Sequence, residues 1–259
     1  MVDMFVKPGN HFVKNVELVN IVSFIMKANK YIIFITTILI VNYSAFAQEV
    51  DISNLFEKDD YLICSKKTKE PFTGIMFCKN SDGKIEYKKT VVDGIENGKA
   101  LFYDKSGNFA GDGEYFNGLE NGKWTWYYKS GFKKAIGYYK DGISNGHWTY
   151  WSESGIKERE GNIINGKENG KWEYYSEMGL ITTERYYNYG LKDSVEIWYY
   201  ENGQKMSIHR YESGIENGKF EGWFRNGKKK FESYYRKGEI INYTEWDQDG
   251  KIIKSQNKE

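Results

Sequence analysis

From Pro71 onward the chain is a succession of short strand-forming runs, rich in aromatic residues and Thr, cut at close intervals by glycine. Within Gly122–Asn145, Lys123-Trp124-Thr125-Trp126-Tyr127-Tyr128 predicts one strand and Lys133–Lys140, with Tyr138-Tyr139 inside it, a second. Lys129-Ser130-Gly131 turns the chain between them. Asp141-Gly142 opens the next connection and Asn145-Gly146 closes it. Asn-Gly and Asp-Gly steps suit turns that need positive φ, which glycine adopts without steric cost. No segment after Gln48 sustains a helical period.

The unit recurs about seven times. Gly74, Gly98, Gly122, Gly146, Gly170 and Gly218, with Ser194 in the gap, form a ladder whose rungs are 24 residues apart. A second ladder runs through Gly83, Gly107, Gly131, Gly155, Gly179, Gly203 and Gly227. A third runs through Gly94, Gly118, Gly142, Gly166, Gly190, Gly214 and Gly238. All three are expected to mark chain reversals. Strand alternation then puts Trp124, Trp148, Trp172 and Phe220 on one face together with Phe102, Trp126, Tyr150, Tyr174 and Trp198. Tyr127, Trp151, Tyr175, Tyr199 and Trp223 point to the other face and form the candidate interaction surface. Gly113, Gly137 and Gly161 recur on the second strands, and large rings are expected to lie across such glycines and cover the backbone.

The predicted fold is all-β: an elongated single-layer array of antiparallel β-hairpins, preceded by an N-terminal signal helix. A lone hairpin of this size is marginal, because ordering costs about 1–2 kcal/mol per residue and a buried ring returns roughly 1.5–3 kcal/mol. Stability must therefore come from stacking on neighbouring units. The expected organisation is an upstream extension at 1–25, a signal peptide at 26–47, a cap at 48–70, the array at 71–250 and a charged tail at 251–259 that blunts the final edge.

The N-terminal reading rests on MKANKYIIFITTILIVNYSAFAQ from Met26: Lys27 and Lys30, then an apolar stretch over Tyr31–Val41, then Ala45-Phe46-Ala47 before Gln48. This predicts export to the periplasm, outer-membrane surface or exterior, with translation starting at Met26. The alternative is an uncleaved N-terminal anchor. In an oxidising compartment Cys64 and Cys78 could bridge across a first hairpin; the alternative is two reduced cysteines serving as small apolar residues.

Charge and chemistry narrow the picture further. Beyond residue 47 there are 33 basic and 34 acidic residues, so no domain-scale basic field exists to hold nucleic acid and attraction to anionic lipid is weak. His147 and His209 are the histidines of this part. His147 stands where most copies have Lys, and His209 lies in a second strand. No zinc spacing, phosphate loop or nucleophile–base arrangement occurs, so no cofactor, metal or catalysis is expected. Departures from the unit at Arg185, Ser194–Ile197, His209-Arg210 and Lys228-Lys229-Lys230 are better functional candidates than the repeated positions.

The unit G-K-W-x-Y-Y-x-x-x-G, as in Gly170-Lys171-Trp172-Glu173-Tyr174-Tyr175 through Gly179, followed by Y-x-x-G and N-G, resembles the MORN-repeat variant. Bacterial members are often labelled YwqK-like antitoxins. The resemblance spans about residues 71–250. It implies stacked hairpins in a twisted sheet and a role in protein association or, for the parent repeat, lipid contact. The signal peptide departs from the cytosolic antitoxin picture. Three functions are expected on these grounds: a protein-binding scaffold at the envelope, an envelope-glycan module using aromatic columns, or a toxin-neutralising protein.

Overall fold

The computed structural model describes residues 48–58 and 61–258. The expected upstream extension at 1–25 and the expected signal peptide at 26–47 lie outside the described residues. The chain separates into two units, Met1–Glu49 and Val50–Glu259, and every described strand but the first lies wholly in the second.

The elements are β1 (Glu49–Asp51), a 3-10 turn at Ile52–Asn54, β2 (Leu55–Lys58), β3 (Leu62–Ser65), β4 (Gly74–Lys79), β5 (Ile85–Val92), β6 (Ile95–Tyr103) and β7 (Phe109–Phe116). Then come β8 (Leu119–Tyr127), β9 (Lys133–Lys140), β10 (Ile143–Ser144), β11 (Gly146–Trp151), β12 (Lys157–Ile164), β13 (Lys167–Tyr175) and β14 (Ile181–Asn188). The chain ends through β15 (Leu191–Tyr199), β16 (Lys205–Glu212), β17 (Ile215–Glu216), β18 (Gly218–Trp223), β19 (Lys229–Arg236), β20 (Glu239–Trp246) and β21 (Ile252–Asn257).

Among the described residues, nineteen strands form one sheet, and β2 pairs with β3 in a second, two-stranded one. From β4 to β21 successive strands pair antiparallel, with β10–β11 and β17–β18 each taken as one strand. Short β10 and β11 both pair with β9, as do β17 and β18 with β16, so each couple is one interrupted strand. The fold is thus all-β and built from repeated hairpins.

Two kinds of turn alternate. Lys140 pairs with Ile143, leaving Asp141-Gly142 as a two-residue loop with φ of 50° and 77°. Positive φ at both central residues defines the I′ turn, whose twist matches that of the strands. The same turn recurs at Asp93, Asn117, Asn165, Tyr189, Ser213 and Lys237, each followed by glycine. At the opposite end of each hairpin, Tyr128 N–H donates to Phe132 O (2.8 Å) and Gly131 N–H to Tyr128 O (2.9 Å). This is a three-residue loop with glycine in the left-handed position.

The first glycine ladder behaves differently from the expectation. Gly98, Gly122 and Gly170 lie inside β6, β8 and β13, not in reversals. At Gly170, with φ of 73°, β13 bulges: Asn162 faces Asn169 while Gly161 faces Trp172, so β13 spends two more residues than β12 over that step. Glycine is required here because the bulge needs positive φ inside a strand. Only two of the three ladders mark turns.

The end regions also differ from expectation in part. Within the expected charged tail, Ile252–Asn257 form β21, paired to β20. The turn before it keeps the unit's geometry, with Asp247 N–H donating to Lys251 O (2.9 Å), although the unit is one residue shorter. At the start, Leu55, Phe72, Met76 and Val91 form a buried cluster flanked by Val50, Ile63 and Tyr87. Gly94 N–H donates to Phe72 O and Ile63 N–H to Gly94 O, both at 2.8 Å, which ties this cluster to the first I′ turn.

Candidate functional site

The two faces of the sheet carry different chemistry. On one face a column crosses the strands in register: Trp124 against Gly137, Trp148 against Gly161, Trp172 against Arg185. Each tryptophan leans on the strand before it. A Cβ added to Gly113, Gly137 or Gly161 would lie 2.2, 2.1 or 2.3 Å from the Trp124, Trp148 or Trp172 ring. The expectation that rings cover glycines holds. Tyr139 stands edge-on between Trp124 and Trp148, with ring centroids 5.7 and 5.4 Å away.

That column breaks at Arg185 and Glu196, two of the departures read from the sequence. One unit on from Gly161 and Trp172, the glycine has become Arg185 and the ring Glu196, and the two remain cross-strand partners. Glu196 is 2% exposed. It accepts from Arg185 Nε, from Lys192 Nζ (3.1 Å) and from Tyr211 OH (3.2 Å). Burial raises its pKa, but hydrogen bonds from Lys192 and Arg185 outweigh that and keep the carboxylate ionised below the usual range. His209 follows in the column, stacked on Phe220 at 4.7 Å, and burial lowers its pKa, which favours the neutral ring.

The opposite face carries the five candidate residues. Tyr127, Trp151, Tyr175, Tyr199 and Trp223 are all half-buried at the strand ends beside the three-residue loops. Each faces the first residue of the next strand: Lys133, Lys157, Ile181, Lys205 and Lys229. The row is therefore an alternation of rings and, with one exception, lysines. The lysines were missed in the sequence, yet they recur on the same 24-residue period.

The rings differ in how free they are. Tyr175 OH lies 2.6 Å from Glu160 and 2.9 Å from Glu173, with Lys157 Nζ 5.0 Å above the ring. Tyr199 OH donates to Glu184 (3.0 Å), and Tyr127 packs on Phe109 at 5.3 Å. Trp151 and Trp223 contribute their backbone carbonyls, which accept from Tyr128 OH and Tyr200 OH at 2.8 Å. Unlike the three tyrosines, their indoles make no ring contact or hydrogen bond among the described residues.

Behind the row lies an ionic layer. Lys171 Nζ bridges Glu173 (2.8 Å) and Glu184 (2.6 Å). Lys219 and Lys229 each reach both Glu221 and Glu232, which accounts for one of the Lys228–Lys230 cluster. Burial works against ionisation of Glu160, yet hydrogen bonds from Lys157 and Tyr175 bring its pKa down to about 2 from an ordinary 4.5. Because the folded value lies below the unfolded one, this contribution is complete above pH 4.5 and is lost as pH falls toward about 2. Thermal midpoints measured across that window should fall, and less steeply in Glu160→Gln. Identical acid slopes for the two proteins would contradict this assignment. His147 is exposed on the same face, with Nδ1 3.3 Å from Asn162 and Nε2 3.5 Å from Glu160.

Of the two readings of the cysteine pair, the bridge is the one the structure does not form. Cys64 and Cys78 are free. The two runs do not form a hairpin with each other: Cys64 on β3 faces Phe56 in the small sheet, and Cys78 on β4 faces Tyr87 in the large one. Cys64 is buried as a small apolar side chain.

Fold and faces together define an all-β hairpin-repeat protein. No protein-family model matches the chain, and no curated protein does. Among solved structures it is similar to TcdB2-TccC3, at 11% identity and a TM-score of 0.23, over 78% of this chain and 14% of that one. It is also similar to TcdB2-TccC3-Cdc42, at 11% identity and a TM-score of 0.16, over 71% of this chain and 13% of that one. Likeness this faint, to a small part of much longer chains, carries no functional argument.

Proposed function

We propose that this protein is an exported, non-enzymatic repeat scaffold of the MORN-variant kind that holds a protein partner at the cell envelope. The row of half-buried rings alternating with lysines, from Tyr127 to Trp223, is the observation that carries this reading. Rings give large contact area at low entropic cost, and Trp and Tyr are enriched at binding hot spots. Repetition about every 9.6 Å, two strand spacings, offers a partner several equivalent anchors. Carboxylates pair with Lys157 and Lys229 of the row, and the near balance of charge beyond residue 47 favours a protein over nucleic acid or anionic lipid.

Cross-linking in native envelopes followed by mass spectrometry should recover one partner. Trp151→Ala with Trp223→Ala should weaken its binding by about 30-fold while the far-UV spectrum is kept. Recovery of no partner over a range of salt, or undiminished binding by the folded double variant, would defeat the proposal. Capture of envelope polysaccharide in place of protein would transfer the same row to the glycan reading.

A further inference from the structure

A cleft of about 740 Å³ opens between the β2–β3 sheet and the first two I′ turns. Its size is that of sites for small organic ligands. The walls are graded. Leu55 and Met76 are 6% and 3% exposed, whereas Tyr61 is 85% exposed and Glu57, also in the lining, is exposed. Phe56, Tyr61 and Tyr87 are among the lining residues, together with Glu57 and Glu96.

We propose that this cleft binds an alkylated ammonium carried on an apolar body, the body against Leu55 and Met76 and the cation beside Tyr61 and Glu57. Aromatic faces attract cations through the ring quadrupole, and a nearby carboxylate adds charge complementarity. The chain already uses this chemistry here: Lys69 Nζ lies 5.4 Å from the Phe56 ring centre and Lys89 Nζ 5.4 Å from that of Tyr87. Lys89 also neutralises Glu96 at 2.9 Å. Glu57 has no ion pair among the described residues and is left to receive the guest. Tyr61 closes the β2–β3 turn, where Lys58 pairs with Leu62, and holds φ of 63° as the last residue of that turn. The later turns present Ile143, Leu191 and Ile215, which do not line this cleft.

The test is calorimetric titration of the full chain with decyltrimethylammonium, decyl sulfate and decyl maltoside, each below its micelle concentration. The ammonium should bind saturably and about tenfold more tightly than the other two. Glu57→Gln and Tyr61→Ala should each remove most of that preference, and Ile143→Lys, outside the cleft, should leave it unchanged. N-acetyl-trimethyllysine amide provides a further arm: binding comparable to the amphiphile assigns the site to a modified side chain, and weak binding assigns it to a free amphiphile. Equal affinity for all three decyl compounds, or no saturable binding, overturns the proposal. Neither result bears on the ring–lysine row, which is read out by partner recovery.

Discussion

Replacing Arg185 by Gly and Glu196 by Trp together should leave the protein as stable as before or stabilise it by about 1–4 kcal/mol, whereas Glu196→Ala alone should cost about 3 kcal/mol. The single substitution leaves Arg185 and Lys192, side chains 21% and 33% exposed, around a site shaped for a carboxylate. Removing one member of a buried pair strands the other; replacing the whole pair with well-packed apolar groups removes the desolvation penalty. The double variant would recreate the Gly161–Trp172 arrangement one unit further on, flanked by Tyr174 and Tyr211 as Trp172 is by Tyr150 and Tyr187. Urea unfolding with comparison of midpoints and slopes would check it. If the double variant lost as much stability as Arg185→Gly and Glu196→Ala added together, the pair would not be the local equivalent of a ring on a glycine.

The ion pair has a further consequence. Units this similar could pair one repeat out of step, because three consecutive units present the same tryptophan over a glycine. An Arg–Glu couple in one unit matches no other unit, so it penalises such slips, in line with the register role of buried polar groups. The double variant should therefore refold with more heterogeneous kinetics even if it is more stable.

Gly161→Ala carries the second large effect, a loss of about 3 kcal/mol. The added Cβ would stand 2.3 Å from Trp172 Cδ2, with Cε2 and Cγ both at 2.5 Å. These atoms belong to a rigid ring that is 0% exposed, so the indole must lift off the sheet. Its emission should shift to the red and the array should open locally. Gly131→Ala is the comparison: nothing lies within 4 Å of the new methyl, and only the φ of 85° is penalised, at about 1 kcal/mol. A Gly161→Ala protein with unchanged emission and midpoint would show that the ring does not depend on the missing side chain.

Period and chain reversal were legible in the sequence because they are local. Asp141-Gly142 and Lys129-Ser130-Gly131 specify their turns through backbone φ alone, and 24-residue recurrence spreads that specification along the chain. The rings over Gly113, Gly137 and Gly161 were legible too, since alternation and period place both partners. The same period could have revealed the lysines of the ring row.

What the sequence by itself determined is thus the hairpin, its repeat and which side chains share a face. Tertiary structure decided what depends on pairing between strands. Asn169-Gly170 and Asn165-Gly166 look alike as dipeptides, yet one makes a bulge and the other a turn, because only the register with β12 distinguishes them. Cys64 and Cys78 fell into different sheets for the same reason. Arg185 and Glu196 were separate oddities until cross-strand pairing set them side by side. A cross-strand contact depends on which residues oppose each other, and bulges shift that correspondence in ways one-dimensional spacing does not record.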